Sequence, residues 1–150
     1  MSPAIEKDII LRNLNSVQEA LAGLRELGKK PFAEFGGLEY DASQLRLQRA
    51  LEGVFSISSH ILSRIPGGQA SKYSEIALNL GKYKIVDRDF AENTLVKMAK
   101  YRNRLVHFYD EITPKEIYDI IQNHLGDFDI FLAAIKKVLE HPENFDLSIE

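Results

Sequence analysis

The chain has 150 residues, a formal net charge of −3 and no cysteine. Its length fits a single domain, so we expect one domain over residues 1–150. The slightly acidic balance excludes a protein that coats nucleic acid through bulk positive charge. The missing cysteines exclude disulfides, thiolate zinc sites and cysteine nucleophiles.

The start of the chain carries early acidic residues and no apolar run, which predicts that it is not a signal peptide. No window approaches 18 consecutive apolar residues, so no membrane span is predicted. We therefore expect a soluble cytoplasmic protein.

Helical periodicity dominates the first half of the chain. Apolar residues recur at steps of three to five from Ile5 to Leu24, which predicts a helix that ends at residues 28–31. A loop with two glycines is expected next, and then a second helix over residues 43–65 that stops at Pro66. A short helix is predicted over residues 71–80, with Gly81 as its end.

Two further helices are predicted in the second half. Asp87 has the residue type of an N-cap for a long helix that reaches about residue 108. Thr113, Pro114 and Glu116 form a capping box for a last helix that ends at Pro142. No segment is a convincing strand. The pattern therefore predicts an all-α, up-and-down bundle of four long helices plus one short helix.

An arginine interrupts the apolar face of the helix that ends near residue 108. On an ideal wheel Arg102 lies inside an arc of about 120° of apolar residues. That arc contains Ala91, Leu95, Met98, Ala99, Leu105 and Val106. If the helix continued, Tyr109 would lie about 20° from Arg102, whereas His107 points about 140° away. A guanidinium in this position must be paired, extend to an edge or line a cleft.

Two arrangements account for this arginine. One lies within the chain and is either a buried ion pair or a stem that extends to the edge of the face. The other is a second copy of the helix across a two-fold axis, which would bring Arg102 and His107 of both chains into one cleft. Within one chain, Arg102 and His107 could converge if the helix frays after Val106. Histidines acting as base and acid, with arginine holding phosphate, would suffice for attack of a ribose 2′-hydroxyl on its phosphodiester. An anion-binding module fits the same residues.

The stretch RNRLVHFY, residues 102–109, resembles the R-x4-H-x-Y motif of the HepT-like proteins, a branch of the HEPN superfamily. The likeness extends over about residues 4–140 and includes SSHIL, YSEIALNLGKYKIV and the last helix. It implies a homodimeric all-α bundle that acts as an endoribonuclease toxin without metal or cofactor. It further implies that Arg102 and His107 of both protomers are catalytic and that Asn103 supports them.

The resemblance also implies a partner. A minimal nucleotidyltransferase would act as the antitoxin and would add AMP to the motif tyrosine, Tyr109. The alternative is a non-catalytic helical module that pairs with the transferase and binds nucleotide or substrate anions through Arg102 and His107.

The remaining basic residues and histidines are candidates for a structural or a supporting role. Lys97, Lys100 and Arg104 form either an ordinary solvated face or a guide for RNA phosphates, to which Arg46 and Arg49 could contribute. His60 is read as a hydrogen-bonded packing residue or as a support for the cleft. We place His124 at a helix edge and His141 at a helix C-terminus. None of the histidines has metal-ligand spacing, so no metal site is predicted.

Overall fold

The computed structural model describes residues 3–150, which are mostly helical. The elements in chain order are β1 (Ala4–Ile5), α1 (Lys7–Leu27), α2 (Gly37–Ser63), α3 (Tyr73–Lys82), α4 (Val96–His107), α5 (Pro114–Asn123), α6 (Gly126–Glu140) and β2 (Ser148–Ile149). Short 3₁₀ turns lie at Phe32–Glu34, Tyr109–Glu111 and Pro142–Phe145, and a π-helical segment, Phe90–Leu95, leads directly into α4. The predicted all-α bundle is confirmed.

The two longest helices, α1 and α2, pack closely against each other. Val17, Leu21 and Leu24 form part of the buried stripe of α1 and are at most 1% exposed. A Cβ placed on Gly53 of α2 would lie 2.5 Å from Cγ2 of Val17, so a glycine is required at this close approach. The core continues through the bundle to Phe55 of α2 and Phe131 of α6, its largest fully buried side chains.

The two ends of the described chain meet in a short parallel pairing of β1 and β2. Ile5 lies opposite Ile149, and the Glu150 N–H donates to the Ile5 carbonyl at 2.8 Å. The prediction of no strands, with Ile5 inside the first helix, was therefore wrong. A two-residue strand has no periodicity to detect, and the fully buried Ile5 pairs with a residue at the other end of the chain.

Helix α2 begins six residues before its predicted start, at Gly37 rather than at residue 43. Contacts to distant segments order the extra turns. The Glu39 carboxylate lies 3.2 Å from Nζ of Lys30, and the Tyr40 hydroxyl donates to the Ile112 carbonyl. The two glycines indicated a loop, but only Gly36 lies outside the helix.

Gly81 does not end the short helix as predicted but lies inside α3. A Cβ at this position would be 2.6 Å from Cβ of Ala91, so the glycine lets the end of α3 approach the π-helical segment. Glycine is poor in helix interiors, which is why its presence predicted a stop. The close helix approach overrides that preference.

The last predicted helix is broken into α5 and α6. Its start is confirmed, because the Thr113 hydroxyl accepts from the Glu116 N–H at 3.1 Å and Pro114 is the first helical residue. However, α5 ends at Asn123 with His124 as its C-cap, and α6 begins at Gly126. His141 caps α6, as predicted, whereas His124, which was predicted inside one continuous helix, is the C-cap of α5. Within residues 3–150 no helix is both long enough and apolar enough to cross a bilayer.

Candidate active site at the end of helix α4

The helix that carries the motif ends two residues before the motif tyrosine. The continuous helical run that leads through the π-helical segment into α4 begins at residue 88, directly after Asp87, and the Asp87 carbonyl accepts from the Ala91 N–H at 3.0 Å. The helix stops at His107, because Phe108 takes φ −136° and ψ 34°. Tyr109 lies in the following 3₁₀ turn. The predicted alignment of Tyr109 with Arg102 depended on a continuing helix and was therefore wrong.

Arg102 points into the bundle, as the wheel predicted, and its side chain is only 18% exposed. Its guanidinium carbon lies 4.4 Å from the ring centre of Tyr73 on α3. Its Nη2 lies 3.7 Å from Oε1 of Glu52 on α2, and its Nη1 lies 3.5 Å from Oδ1 of the exposed Asn103. The buried Nε has no hydrogen-bond partner among the described residues.

These partners explain the unusual position of Arg102 within a single chain. The ring face of Tyr73 replaces part of the hydration of the cation, and Glu52 offsets its charge. A second copy of the helix is therefore not needed to account for an arginine on this face. The homodimer stays an expectation that follows from the resemblance.

His107 and Tyr109 are presented to solvent. His107 is exposed at the last position of α4, and within residues 3–150 its imidazole makes no hydrogen bond or ion pair. Tyr109 is 60% exposed and the neighbouring Phe108 is 52% exposed. The backbone is nevertheless held in place, since Gln44 of α2 donates to the Tyr109 carbonyl at 3.1 Å.

One chain does not bring Arg102 and His107 together. They are five residues apart on one helix, about 7.5 Å along its axis, and on different faces. Arg102 contacts Asn103 and the inward partners, whereas the His107 ring faces outward next to the Phe108 ring, at 6.4 Å between centroids. A site that uses both side chains on one phosphate needs groups from a second chain or a rearrangement of Arg102.

The predicted basic stripe is divided by the fold. Lys97 and Lys100 are exposed. Arg104 instead binds both carboxylate oxygens of Glu116 on α5, and the Tyr101 hydroxyl donates to the same carboxylate at 2.6 Å. Burial, together with the Glu116 carboxylate, raises the pKa of Tyr101. Two lysines of the stripe therefore remain open to a phosphate.

His60 is the hydrogen-bonded packing residue that was predicted. Its Nε2 accepts from the Glu6 N–H at 3.0 Å, and burial with the nearby charge of Arg64 lowers its pKa. It lines one surface groove of about 500 Å³ together with Tyr73, the residue that stacks on Arg102. Its support of the cleft stays a prediction.

The other candidates lie elsewhere. His124 is 3.6 Å from Asp119, and His141 is 3.5 Å from Glu143. Arg46 and Arg49 line a groove against α1. In the described part of the chain, no three His, Asp or Glu side chains are grouped so that they could hold a metal ion.

The partners of Arg102 and Arg104 were missed in the sequence. Glu52 had a detectable signal, because it is an acid inside the otherwise apolar run ALEGVF, and such an acid is typical of an ion pair. Tyr73 had none, since an aromatic residue at a helix start is ordinary. Glu116 was recognised only as part of the capping box, although its side chain joins α5 to α4.

Comparisons with known proteins agree with the motif. The family model described as ribonuclease HepT-like matches residues 10–135. The chain is 31% identical over 93 residues to the tRNA nuclease HepT of Aphanizomenon flos-aquae, with 62% of this chain and 63% of that protein covered. It thus spans less than two thirds of that relative. It is 27% identical over 135 residues to the mRNA nuclease HepT of Shewanella oneidensis, with 86% and 97% covered.

A solved structure shares the fold. The tri-AMPylated Shewanella oneidensis HEPN toxin in complex with MNT antitoxin superposes with a TM-score of 0.72 and 25% identity, over 86% of this chain and 97% of that one. The family model covers most of the chain, and it includes the whole stretch from Arg102 to Tyr109. The chain therefore belongs to the ribonuclease HepT-like family.

Proposed function

We propose that this chain is a ribonuclease toxin that cuts RNA at a cleft between two copies, with Arg102 and His107 of both as the catalytic groups and Asn103 as their support. The observation that carries the proposal is the exposure of His107 at the end of α4, the helix that also carries Arg102, in a chain of this family. The names of the two relatives, a tRNA nuclease and an mRNA nuclease, support RNA as the substrate class.

The reaction needs two proton transfers and charge stabilisation. One His107 removes the proton of a ribose 2′-hydroxyl, and the 2′-oxygen attacks the adjacent phosphorus. The bond from phosphorus to the 5′-oxygen breaks, and a second His107 donates a proton to that oxygen. Arg102 stabilises the charge on the non-bridging oxygens. The products are a 2′,3′-cyclic phosphate and a free 5′-hydroxyl, and no metal ion takes part.

A pair of chains would supply the second histidine that the proposed reaction needs. A single chain has one motif histidine, and that histidine does not contact Arg102. An isologous pair would place two histidines and two arginines around one two-fold axis. This supports a homodimer as the active form.

We also propose that AMP on Tyr109 switches the toxin off. The solved relative is described as a tri-AMPylated toxin in complex with an MNT antitoxin, which supports a minimal nucleotidyltransferase as the partner of this chain. Tyr109 is 60% exposed, and its phenol oxygen would attack the α-phosphorus of ATP and release pyrophosphate. The added phosphate is a negative charge close to His107, and it would repel the RNA backbone.

Cleavage in the presence of EDTA tests the nuclease proposal. Purified protein is incubated with RNA, and both new ends are mapped for a cyclic phosphate and a 5′-hydroxyl. We expect cleavage by the wild type and by His141→Ala, an exposed histidine outside the motif, and none by His107→Ala or Arg102→Ala. Cleavage that His107→Ala leaves unchanged would contradict the proposal.

Intact mass tests the modification. Co-expression with the transferase should add one or more AMP groups to the wild type and to Tyr83→Phe, but none to Tyr109→Phe. An AMP adduct that persists in Tyr109→Phe would assign the modification to another residue.

A non-catalytic module that binds the transferase and its anions is the second candidate. It is favoured by the engagement of Arg102 with Glu52 and Tyr73, and by the absence of an orienting partner for His107 among the described residues. Expression without the partner separates the two functions. Growth arrest that His107→Ala relieves supports the toxin, whereas normal growth and no RNA turnover support the binding module.

A further inference from the structure

We propose that Tyr73 and Glu52 are positioning residues for Arg102. The Tyr73 ring holds the guanidinium in place, and the Glu52 carboxylate pairs with it until an RNA phosphate takes the place of that carboxylate. This inference rests on the proposed role of Arg102 in RNA cleavage. It concerns two residues outside the R-x4-H-x-Y motif, on two other helices.

The Tyr73 ring is a fixed surface for the cation. The guanidinium carbon of Arg102 lies 4.4 Å from its centre, well within the range of a cation–π contact. The same ring packs on Phe55, with centroids 5.1 Å apart, and Phe55 is only 1% exposed. The stack therefore runs from the core of α2 through α3 to the motif arginine on α4.

The ion pair between Glu52 and Arg102 is weak enough for an RNA phosphate to displace the carboxylate. Glu52 lies one helical turn before Phe55 on α2, so both residues project from the same side of that helix. Its side chain is 42% exposed, and the 3.7 Å separation of its Oε1 from Nη2 of Arg102 is too long for a hydrogen bond. A phosphate oxygen at hydrogen-bond distance would be the stronger partner.

The burial of Arg102 also determines which side of its guanidinium group can contact the RNA. The Nε atom is buried and without a partner in the described part of the chain, so RNA cannot reach the Nε side of the guanidinium. The two terminal nitrogens contact Glu52 and Asn103, which are both at least partly exposed. A phosphate thus approaches the Nη edge, and a guanidinium already held on the ring loses less freedom when it binds.

The Tyr73 variants test the stack by kinetics and by NMR. Tyr73→Phe keeps the ring, and we expect its kcat to stay within about twofold of the wild type. Tyr73→Leu removes it, and we expect kcat to fall by roughly 10- to 100-fold, the scale of a small misplacement of a catalytic group, with a smaller change in KM. Tyr83→Leu is the matched control, because Lys82 lies 5.4 Å above that ring, outside the motif.

The NMR signals of the Arg102 side chain give a readout that does not depend on activity. The ring current of Tyr73 should shift the Arg102 δ-proton signals upfield in the wild type and in Tyr73→Phe, but not in Tyr73→Leu. If Tyr73→Leu does not fold, Tyr73→Met replaces it. A folded ringless variant with wild-type kcat, or a wild-type spectrum without the shift, overturns the inference.

Glu52→Gln tests whether the Glu52 carboxylate competes with RNA phosphate for Arg102. Without the competing carboxylate the phosphate meets the full charge of Arg102, so we expect KM for RNA to fall roughly two- to fivefold at low salt and to converge with the wild type at high salt. Glu92→Gln breaks a similar surface pair with Arg88, outside the motif, and should not change KM. An unchanged or raised KM in Glu52→Gln overturns this half of the inference.

Failure of the two proposals can be told apart. If the wild type does not cleave RNA, the proposed function fails, and the NMR shift still reports whether the stack forms. If the wild type cleaves and Tyr73→Leu cleaves equally fast, the nuclease stands and the positioning role is lost.

Discussion

Arg104 of α4 donates to both carboxylate oxygens of Glu116 on α5, at 2.8 and 3.4 Å. The contact joins the motif helix to the helix that follows it, across the exposed turn that contains Tyr109. Tyr101 donates to the same carboxylate, so Glu116 binds two side chains of α4. Arg104 is therefore engaged in an ion pair, whereas Lys97 and Lys100, on the same helix face, are exposed.

Glu116→Ala should therefore destabilise the fold. The substitution leaves the half-buried Tyr101 hydroxyl and the Arg104 guanidinium without their shared acceptor, and we expect a loss of about 1–3 kcal/mol in the free energy of unfolding. Urea titration followed by circular dichroism measures the change. Glu19→Ala on the exposed side of α1 is the control and should stay within about 0.5 kcal/mol of the wild type. A loss no larger than that of the control would show that the network contributes nothing.

Lys97→Ala and Lys100→Ala should weaken RNA binding without changing stability. Each exposed lysine that contacts a phosphate contributes about 0.7 to the slope of log K against log salt for a single strand, so each variant should flatten that slope by roughly this amount. Fluorescence anisotropy in a His107→Ala background measures binding without cleavage. Arg104→Ala should change the slope less and the free energy of unfolding more, because its guanidinium is bound to Glu116. Equal slopes in the wild type and both lysine variants would identify the stripe as an ordinary solvated face.

The stability of the fold should fall as the pH is lowered through the titration of His60. The pKa of His60 lies below its ordinary value of 6.5 in the folded chain, mainly through burial. The unfolded state thus binds more protons below about pH 6.5, and the stabilisation present above that pH is lost as the pH falls towards the folded pKa. His60→Gln keeps an acceptor for the Glu6 N–H but does not titrate, so the free energy of unfolding should depend less steeply on pH between 7 and 5. Ser59→Ala is the neighbouring control and should keep the wild-type slope.

Gly81→Ala should destabilise the bundle through overpacking. The new Cβ would lie 2.6 Å from Cβ of Ala91, and forcing α3 away from the π-helical segment should cost about 1–3 kcal/mol. Gly126→Ala is the opposite case, because nothing lies within 4 Å of its new Cβ. That variant should be neutral or more stable by up to about 1 kcal/mol, since alanine restricts the unfolded chain. Thermal unfolding compares the two, and equal melting temperatures for both would contradict the close approach.

Local signals in the sequence predicted most of the helices. The capping box at Thr113 and the inward face of α4 were recognisable because a cap and a helical period depend only on near neighbours. The early start of α2, the continuation of α3 through Gly81 and the break at His124 were not. The early start of α2 is accompanied by contacts with other segments, and the continuation of α3 rests on a packing distance, neither of which a local pattern contains.

The candidate site likewise has features that local sequence signals predicted and features that depend on distant residues. The motif identified Arg102, His107 and Tyr109 as a group, and the helical period showed that Arg102 faces inward and Asn103 outward. The period also aligned Tyr109 with Arg102, which failed because the helix ends at His107. The partners of Arg102 come from α2 and α3, and they are 50 and 29 residues away in the chain.

The sequence by itself determined the helical class and the order of the helices, together with the family motif at the end of the fourth helix. Periodicity, caps and residue types suffice for these features, because they are encoded within a few turns. Only the tertiary structure decided what surrounds Arg102: the Tyr73 ring, the Glu52 carboxylate and the closed Nε edge. Whether a cation on an apolar face is satisfied within its own chain depends on which helices pack around it, and that packing brings together residues that are far apart in the sequence.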